Sequence, residues 1–218
     1  MLVAEFQPLA AQQRIGLIGG TFDPIHYAHL AIAEEVRVTL NLDTMVFIPA
    51  GQPPHKHGKE VTPANHRLAM VELAIASNPA FACSRIEIEN TGPSYLALTL
   101  QRLRELWGPE KELYFVVGWD SLEEFHTWHT PQEILRHLTA LVAVGRPGYN
   151  EDPDSQERLD RIEARVPGLK QRLLLVHAPL LDISATELRE RVRQHRPIRY
   201  QVPDPVEQYI HVQRLYQE

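Results

Sequence analysis

A single stretch, Arg14 to Leu30 (RIGLIGGTFDPIHYAHL), constrains this chain more than any other. A short apolar run, Ile15-Gly16-Leu17-Ile18, reads as a buried strand. Gly19 and Gly20 follow, where a backbone turns sharply or comes close to a ligand. Thr21, Asp23 and Pro24 are turn residues, and His26-Tyr27-Ala28-His29 then leads into a helix that runs to about Leu40. The order of strand, glycine-rich turn, paired histidines and helix start brings free N–H groups and the positive end of a helix dipole to one place. Such a place suits an anion. Two histidines three apart at a helix start share a face, so both can aim N–H donors at one phosphate. Two other readings stand beside this one. The pair could be half of a metal site, although the general-base Glu of H-E-x-x-H and a third ligand are missing from the motif. It could also be two histidines merely satisfied at a helix start.

The rest of the chain supplies elements to carry that turn. Thr44 to Pro49 reads as a second strand. It leads into a proline- and glycine-rich loop, Ala50 to Lys59, in which Pro53 and Pro54 hold an extended backbone and present Lys56 in a defined direction. A solvated basic loop is the plain alternative, and His55 and His57 are unspecific. Thr62 and Pro63 open a helix as N-cap and first residue, with Leu68, Val71 and Ile75 as its apolar stripe and Asn78-Pro79 as its end. Arg67 on that helix either reaches the loop before it or is solvated. Residues 82–89 (ACSRIEIE) alternate as a half-buried strand, and Thr91 to Ser94 reads as a turn and cap. Leu96, Leu100, Leu103 and Trp107 then lie at helical spacing, with Gly108 as the stop.

Leu113 to Gly118 is a strong buried strand. Asp120 follows at its C-terminal end, where open α/β sheets bind ligands. It could hydrogen-bond a ribose, orient a cation or cap the next helix. Trp128, beside His129, offers a flat face for stacking on an aromatic base, or else covers a helix end at the surface. Thr130-Pro131 starts another helix, Leu138 to Val144 is a strand, and Gly145 to Tyr149 turns at its end. A charged helix over about Pro153–Val166 and a last strand, Leu173 to Val176, precede a second motif, Asp182 to Arg189 (DISATELR). Ser184 and Glu187 form the S-x-x-E pattern of a capping box. Thr186 and Arg189 are not explained by capping, and hydroxyls with an arginine at a helix N-terminus suit a phosphate. Pro203 to Tyr216 reads as a final helix packed through Val206, Tyr209 and Ile210.

Strands and helices alternate through most of the chain, which predicts an α/β fold with a Rossmann-like, doubly wound parallel sheet and a small helical C-terminal part over about residues 184–218. The 218 residues suffice for a single domain over 14–218 after an N-terminal extension of residues 1–13. A formal net charge of −6 disfavours general binding to nucleic acid. The lone cysteine, Cys83, rules out an internal disulfide and fits a reducing cytoplasm. The N-terminal residues make a poor signal peptide, and no apolar run approaches the length of a membrane span.

With the pieces in order, the chain resembles the bacterial nicotinate-nucleotide adenylyltransferases, members of the nucleotidyltransferase superfamily with the (H/T)-x-G-H signature. The resemblance rests on GGTFDPIHYAH, PPHK at 53–56, HRLAM at 66–70, GPSYLALTL at 92–100, VGWDSL at 117–122, FHTWH at 125–129, GRPGY at 145–149 and ISATELR at 183–189. It implies adenylyl transfer from ATP to nicotinate mononucleotide, giving deamido-NAD and pyrophosphate. By that analogy Gly19, Gly20, Thr21 and Phe22 line the dinucleotide site, His26 and His29 hold the ATP phosphates, and Ser184, Thr186 and Arg189 hold the triphosphate from the other side. Asp120 and Arg146 lie near the adenosine half, Lys56 reaches phosphate groups, and Tyr95, Trp128 and His129 meet the nicotinate end. Mg²⁺ is held mainly by the ATP phosphates and water rather than by protein ligands. A homo-oligomer is left open.

The chain departs from the family pattern at three positions. Ala28 stands where the signature has glycine before the second histidine. Leu96 replaces a threonine, and His129 a tyrosine, both at the nicotinate end. The readings weighed against this one are an adenylyltransferase for nicotinamide mononucleotide or another phosphorylated acceptor such as phosphopantetheine, a catalytically silent nucleotide sensor, and a metal hydrolase built on His26 and His29.

Overall fold

The structure is a computed structural model that describes residues 11–53, 61–145, 153–179 and 181–217. Six strands form one sheet: β1 (Arg14–Gly20), β2 (Thr44–Pro49), β3 (Phe81–Cys83), β4 (Glu112–Gly118), β5 (Ala140–Gly145) and β6 (Leu173–His177). Their order is β3-β2-β1-β4-β5-β6, which reverses between β1 and β4, as in a doubly wound sheet. The connecting helices among the described residues are α1 (Tyr27–Thr39), α2 (Ala64–Ile75), α3 (Leu96–Trp107), α4 (Trp119–Glu123), α5 (Pro131–His137), α6 (Pro153–Arg165), α7 (Leu169–Arg172), α8 (Ala185–Arg193) and α9 (Asp204–Val212). None of these helices is long and apolar enough to cross a membrane.

The chain divides into two compact units, interleaved in sequence. The first comprises the residues up to Ile18, Ala33–Met45 and Tyr95–Pro179. In it β1 pairs with β4, β4 with β5 and β5 with β6, all parallel, in registers that set Leu17 beside Phe115 and Phe115 beside Leu141. Strands β1, β4 and β5 are buried on both faces, so they read as continuous apolar runs rather than as an alternation, whereas edge strand β6 leaves Leu174 and Leu175 exposed. Helix α3 packs on α5, with Leu100 and Leu103 fully buried. Asp43 fixes the start of β1 by accepting the N–H groups of Gln13 and Arg14 at 2.7 and 2.9 Å.

The second unit comprises Gly19–Ile32, Val46–Ser94 and the residues from 180 to the end. Helix α9 packs on α2 through Val206 and Ile210, and the Tyr209 hydroxyl meets His66 Nδ1 at 2.9 Å. Gly51 is required here by a close approach: a Cβ would lie 2.1 Å from the carbonyl oxygen of Glu87.

Several local expectations change. Only Phe81–Cys83 of the segment around 82–89 is strand. Beyond it Ser84 donates its N–H to Phe47, its hydroxyl takes the Ile86 N–H, and Glu89 N–H returns to Arg85 O in a helical turn. Ile86 and Glu87 are both buried, so the period-two pattern does not carry through. Pro63, rather than Thr62, is the N-cap of α2, with no side-chain bond. The final helix stops at Val212 instead of continuing to Tyr216.

Candidate functional site

The glycines of the first motif do not make its turn. Gly19 and Gly20 lie at the end of β1, and the backbone reverses after them, with Phe22 at φ +50° and a cis Asp23–Pro24 bond. A left-handed phenylalanine costs roughly 1–2 kcal/mol. Gly20 contributes by lacking a Cβ, which would stand 3.0 Å from the Phe22 ring. That ring is buried, edge-on to His29 (5.1 Å between centroids, 79°) and tilted against Phe47 (5.8 Å).

Interactions from distant parts of the second unit hold the turn. Arg67, 1% exposed, donates Nη1 to Thr21 O at 2.8 Å, Nε to Thr62 O at 2.8 Å and Nη2 to Gly51 O at 3.3 Å. Burial pulls its pKa down, and the Asp23 carboxylate opposes that. Asp23, 3% exposed, accepts the Tyr216 hydroxyl and the Thr62 N–H, while its carbonyl accepts Arg189 Nη1 at 2.7 Å. Of the two readings open for Arg67, the loop-reaching one holds: the side chain ties the loop end at Thr62 and Gly51 to the signature turn.

The paired histidines share a face, as the spacing predicts. Their rings stack 3.8 Å apart at 26°. His26 N–H points at His29 Nδ1 across 3.3 Å, which makes that nitrogen the acceptor and leaves the proton of a neutral His29 on Nε2. His26, 5% exposed, has a buried Nδ1 with no hydrogen-bond partner among the described residues. Burial lowers the His26 pKa to about 4, and burial together with the charge of His26 lowers that of His29 to about 3. Both rings are therefore neutral at pH 7 in the free protein. The N–H groups at the start of α1 are less free than the sequence suggests. Tyr27 N–H goes to Gln201 O and His29 N–H to His26 O, each at 3.0 Å. Ala28 is buried in this first turn.

The second motif also departs from expectation. Ser184 is the N-cap of α8 in extended conformation, but its side chain makes no capping bond, so the reciprocal capping box does not form. Thr186 Oγ1 takes Arg189 Nη2 at 3.4 Å, and the other terminal nitrogen of Arg189 is committed to Asp23. Gly19, Gly20, Thr21, Phe22, His26, His29, Ser184, Thr186 and Arg189 all belong to the second unit. Lys56 and Arg146 lie outside the described residues.

Asp120, Tyr95, Trp128 and His129 belong to the first unit. Gly118 is the N-cap of α4 and Asp120 lies exposed in its first turn, so the capping role falls away. Trp128 is half-buried, tilted on Phe125 (5.4 Å) and edge-on to Phe115 (6.4 Å, 82°). The exposed His129 ring stacks on Tyr95, 4.4 Å apart at 26°. Among the described residues no group of three or more His, Cys, Asp or Glu is placed to hold a metal ion.

The sequence reading missed the holding network. In the sequence Asp23 reads only as a turn residue, and Tyr216 as a position on the last helix. Nothing local signals bonds that span 193 residues.

The cytidylyltransferase-like family matches this chain over residues 17–191. A probable nicotinate-nucleotide adenylyltransferase of Roseiflexus sp. (strain RS-1) is 51% identical over 202 residues, spanning 93% of this chain and 97% of that protein. Another, of Thermomicrobium roseum, is 46% identical over 203 residues, spanning 93% and 91%. A solved structure of Plasmodium falciparum nicotinic acid mononucleotide adenylyltransferase complexed with NaAD shares the fold, with a TM-score of 0.71 over 93% of this chain and 96% of that one at 20% identity. The chain belongs to the cytidylyltransferase-like family and, within it, to the nicotinate-nucleotide adenylyltransferases.

Proposed function

We propose that this protein transfers an adenylyl group from ATP to nicotinate mononucleotide, forming deamido-NAD and releasing pyrophosphate, as a step of NAD synthesis. The observation that carries the reading is the stacked, neutral pair of buried His26 and half-buried His29 beside a turn held by Arg67 and Asp23, in a chain about half identical to relatives so named.

The mononucleotide's 5′-phosphate is an oxyanion at neutral pH. It attacks the α-phosphorus of ATP directly, forming one P–O bond as the bond to the departing pyrophosphate breaks. No strong base and no covalent intermediate are needed. The work lies in bringing two polyanions together and in stabilising the charge that moves to the leaving group. His29 Nε2–H, with its tautomer fixed by the His26 amide, is a donor for the phosphates. His26, with its unpartnered Nδ1, is poised to gain a partner or a proton when an anion arrives. The Ser184 hydroxyl, not spent on its own helix, is a further donor, with Thr186 and Arg189 beside it. Lys56 reaches phosphate groups in this reading, and Asp120 and Arg146 serve the adenosine half. The side chains of Trp128, His129 and Tyr95 take the pyridine ring and its carboxylate.

A divalent cation, Mg²⁺ in our reading, would arrive on the triphosphate and screen its charge. The donor set fits a cation carried that way. The phosphate-side residues are imidazoles, hydroxyls and an arginine, and the Asp23 carboxylate is already engaged by Tyr216 and Thr62.

The test is turnover of the purified chain with ATP, Mg²⁺ and nicotinate mononucleotide, followed by mass analysis of the product. Deamido-NAD and pyrophosphate in equal amounts are expected. Tight ATP binding with no product would favour a nucleotide sensor, and product with phosphopantetheine alone would reassign the acceptor.

A further inference from the structure

The turn that leads to the histidines is tied to the far end of the chain. Past α9 the backbone takes left-handed conformations at Arg214 (φ +53°) and Tyr216 (φ +64°), which return the Tyr216 side chain into the second unit. There its hydroxyl donates to Asp23 Oδ1 at 2.7 Å and lies 3.9 Å from Met70 Sδ. Left-handed backbone at a tyrosine persists only where surrounding contacts compensate. Burial and the adjacent Asp23 carboxylate push the Tyr216 pKa far above its usual value, so the hydroxyl remains a donor throughout the working range.

Asp23 has both carboxylate oxygens engaged, by Tyr216 and by the Thr62 N–H at 3.2 Å, and its carbonyl engaged by Arg189. Both oxygens of this carboxylate are thus turned to donors of the chain itself. Its contribution is geometric. It sits between Phe22, whose ring faces His29, and His26, three residues on.

We propose that Tyr216 is a positioning residue for the transfer reaction: its bond to Asp23 fixes the Phe22–Pro24 turn and thereby the placement of the His26 and His29 rings. The proposal rests on the adenylyl-transfer reading. It adds that the last residues of the chain complete the phosphate-holding turn.

The test compares Tyr216→Phe with Tyr209→Phe, which removes a similar hydroxyl contact, to His66, from α9 of the same unit. Both variants should lose a similar, small amount of thermal stability. Tyr216→Phe alone should lower kcat by about tenfold and weaken ATP binding measured by calorimetry, with the KM for nicotinate mononucleotide changed by less than about twofold. Adding Tyr216→Phe to Asp23→Asn should lower kcat little further, because the two act as one unit. Tyr216→Phe with wild-type kcat and ATP affinity would overturn the proposal. So would equal damage from Tyr209→Phe. If Tyr216→Phe does not fold, Asp23→Asn carries the test: a kcat loss at unchanged KM for the mononucleotide supports the proposal, and unchanged kcat overturns it. Failure of the unaltered chain to turn over would overturn the reaction reading instead, and the ATP affinities of the variants would still decide the role of Tyr216.

Discussion

The signature turn of the second unit and the aromatic group of the first are built on opposite principles. The turn is buried and over-determined: Thr21, Asp23 and Phe22 are held by Arg67, Thr62, Arg189, Tyr216 and Phe47. The aromatic group is held mainly by ring contacts, Trp128 on Phe115 and Phe125 and the exposed His129 on Tyr95. Hydrogen bonds in a buried setting fix direction, which charge stabilisation in a transition state demands. Stacking fixes a plane and tolerates changes of partner. In the proposed mechanism the reaction is set at the turn and acceptor choice at the aromatic group.

The largest effect should come from breaking the turn. Arg67→Met strands three carbonyl acceptors and leaves Asp23 without its buried cation. It should cost about 3–5 kcal/mol of stability in chemical denaturation. A cost under about 1 kcal/mol would mean that the guanidinium is better solvated than its burial indicates. Next, His26→Ala should lower kcat by about 10²–10³-fold at nearly unchanged stability, the loss typical of one donor to developing charge. Near-normal turnover would remove the pair from the mechanism.

Trp128→Ala sharpens the contrast from the other side. It should weaken acceptor binding by about 1–3 kcal/mol, read as a raised KM for the mononucleotide, and leave ATP affinity alone. The most gradual effect is in pH dependence. An unfolded histidine binds its proton below about pH 6.5, whereas folded His26 resists until about pH 4. The unfolded state therefore holds more protons in that window, and stability must fall as pH falls through it. The slope from His26 is at most about 1.4 kcal/mol per pH unit. It is absent above pH 6.5 and should be reduced in His26→Ala. Identical melting-temperature profiles for the two proteins between these limits would contradict the neutral, buried ring.

Much of the sheet was legible in the sequence because its strands are continuous apolar runs. Thr44–Pro49 and the 113–118 strand stand where the pattern puts them, and α3 follows its leucine spacing to Gly108. Local signals failed where a tertiary partner took the group concerned. Ser94 does not cap α3; its hydroxyl accepts the N–H groups of Gly51 and Gln52, 43 and 42 residues away. The Ser184–Glu187 pattern marks the helix start correctly, but the capping bond is not made. The histidine pair was legible because its spacing is local. The network behind it joins residues far apart in sequence, and Arg67, Asp23 and Tyr216 became recognisable as its members only in the fold.

The most direct test of the account is the ratio of kcat/KM for nicotinate mononucleotide to that for nicotinamide mononucleotide, measured as pyrophosphate release with ATP and Mg²⁺ at subsaturating acceptor. The account predicts a large preference for the acid, and it predicts that His26→Ala lowers both rates while leaving their ratio unchanged. Equal use of acid and amide would contradict the acceptor assignment, and a ratio that shifts with His26→Ala would contradict the separation of chemistry from acceptor choice.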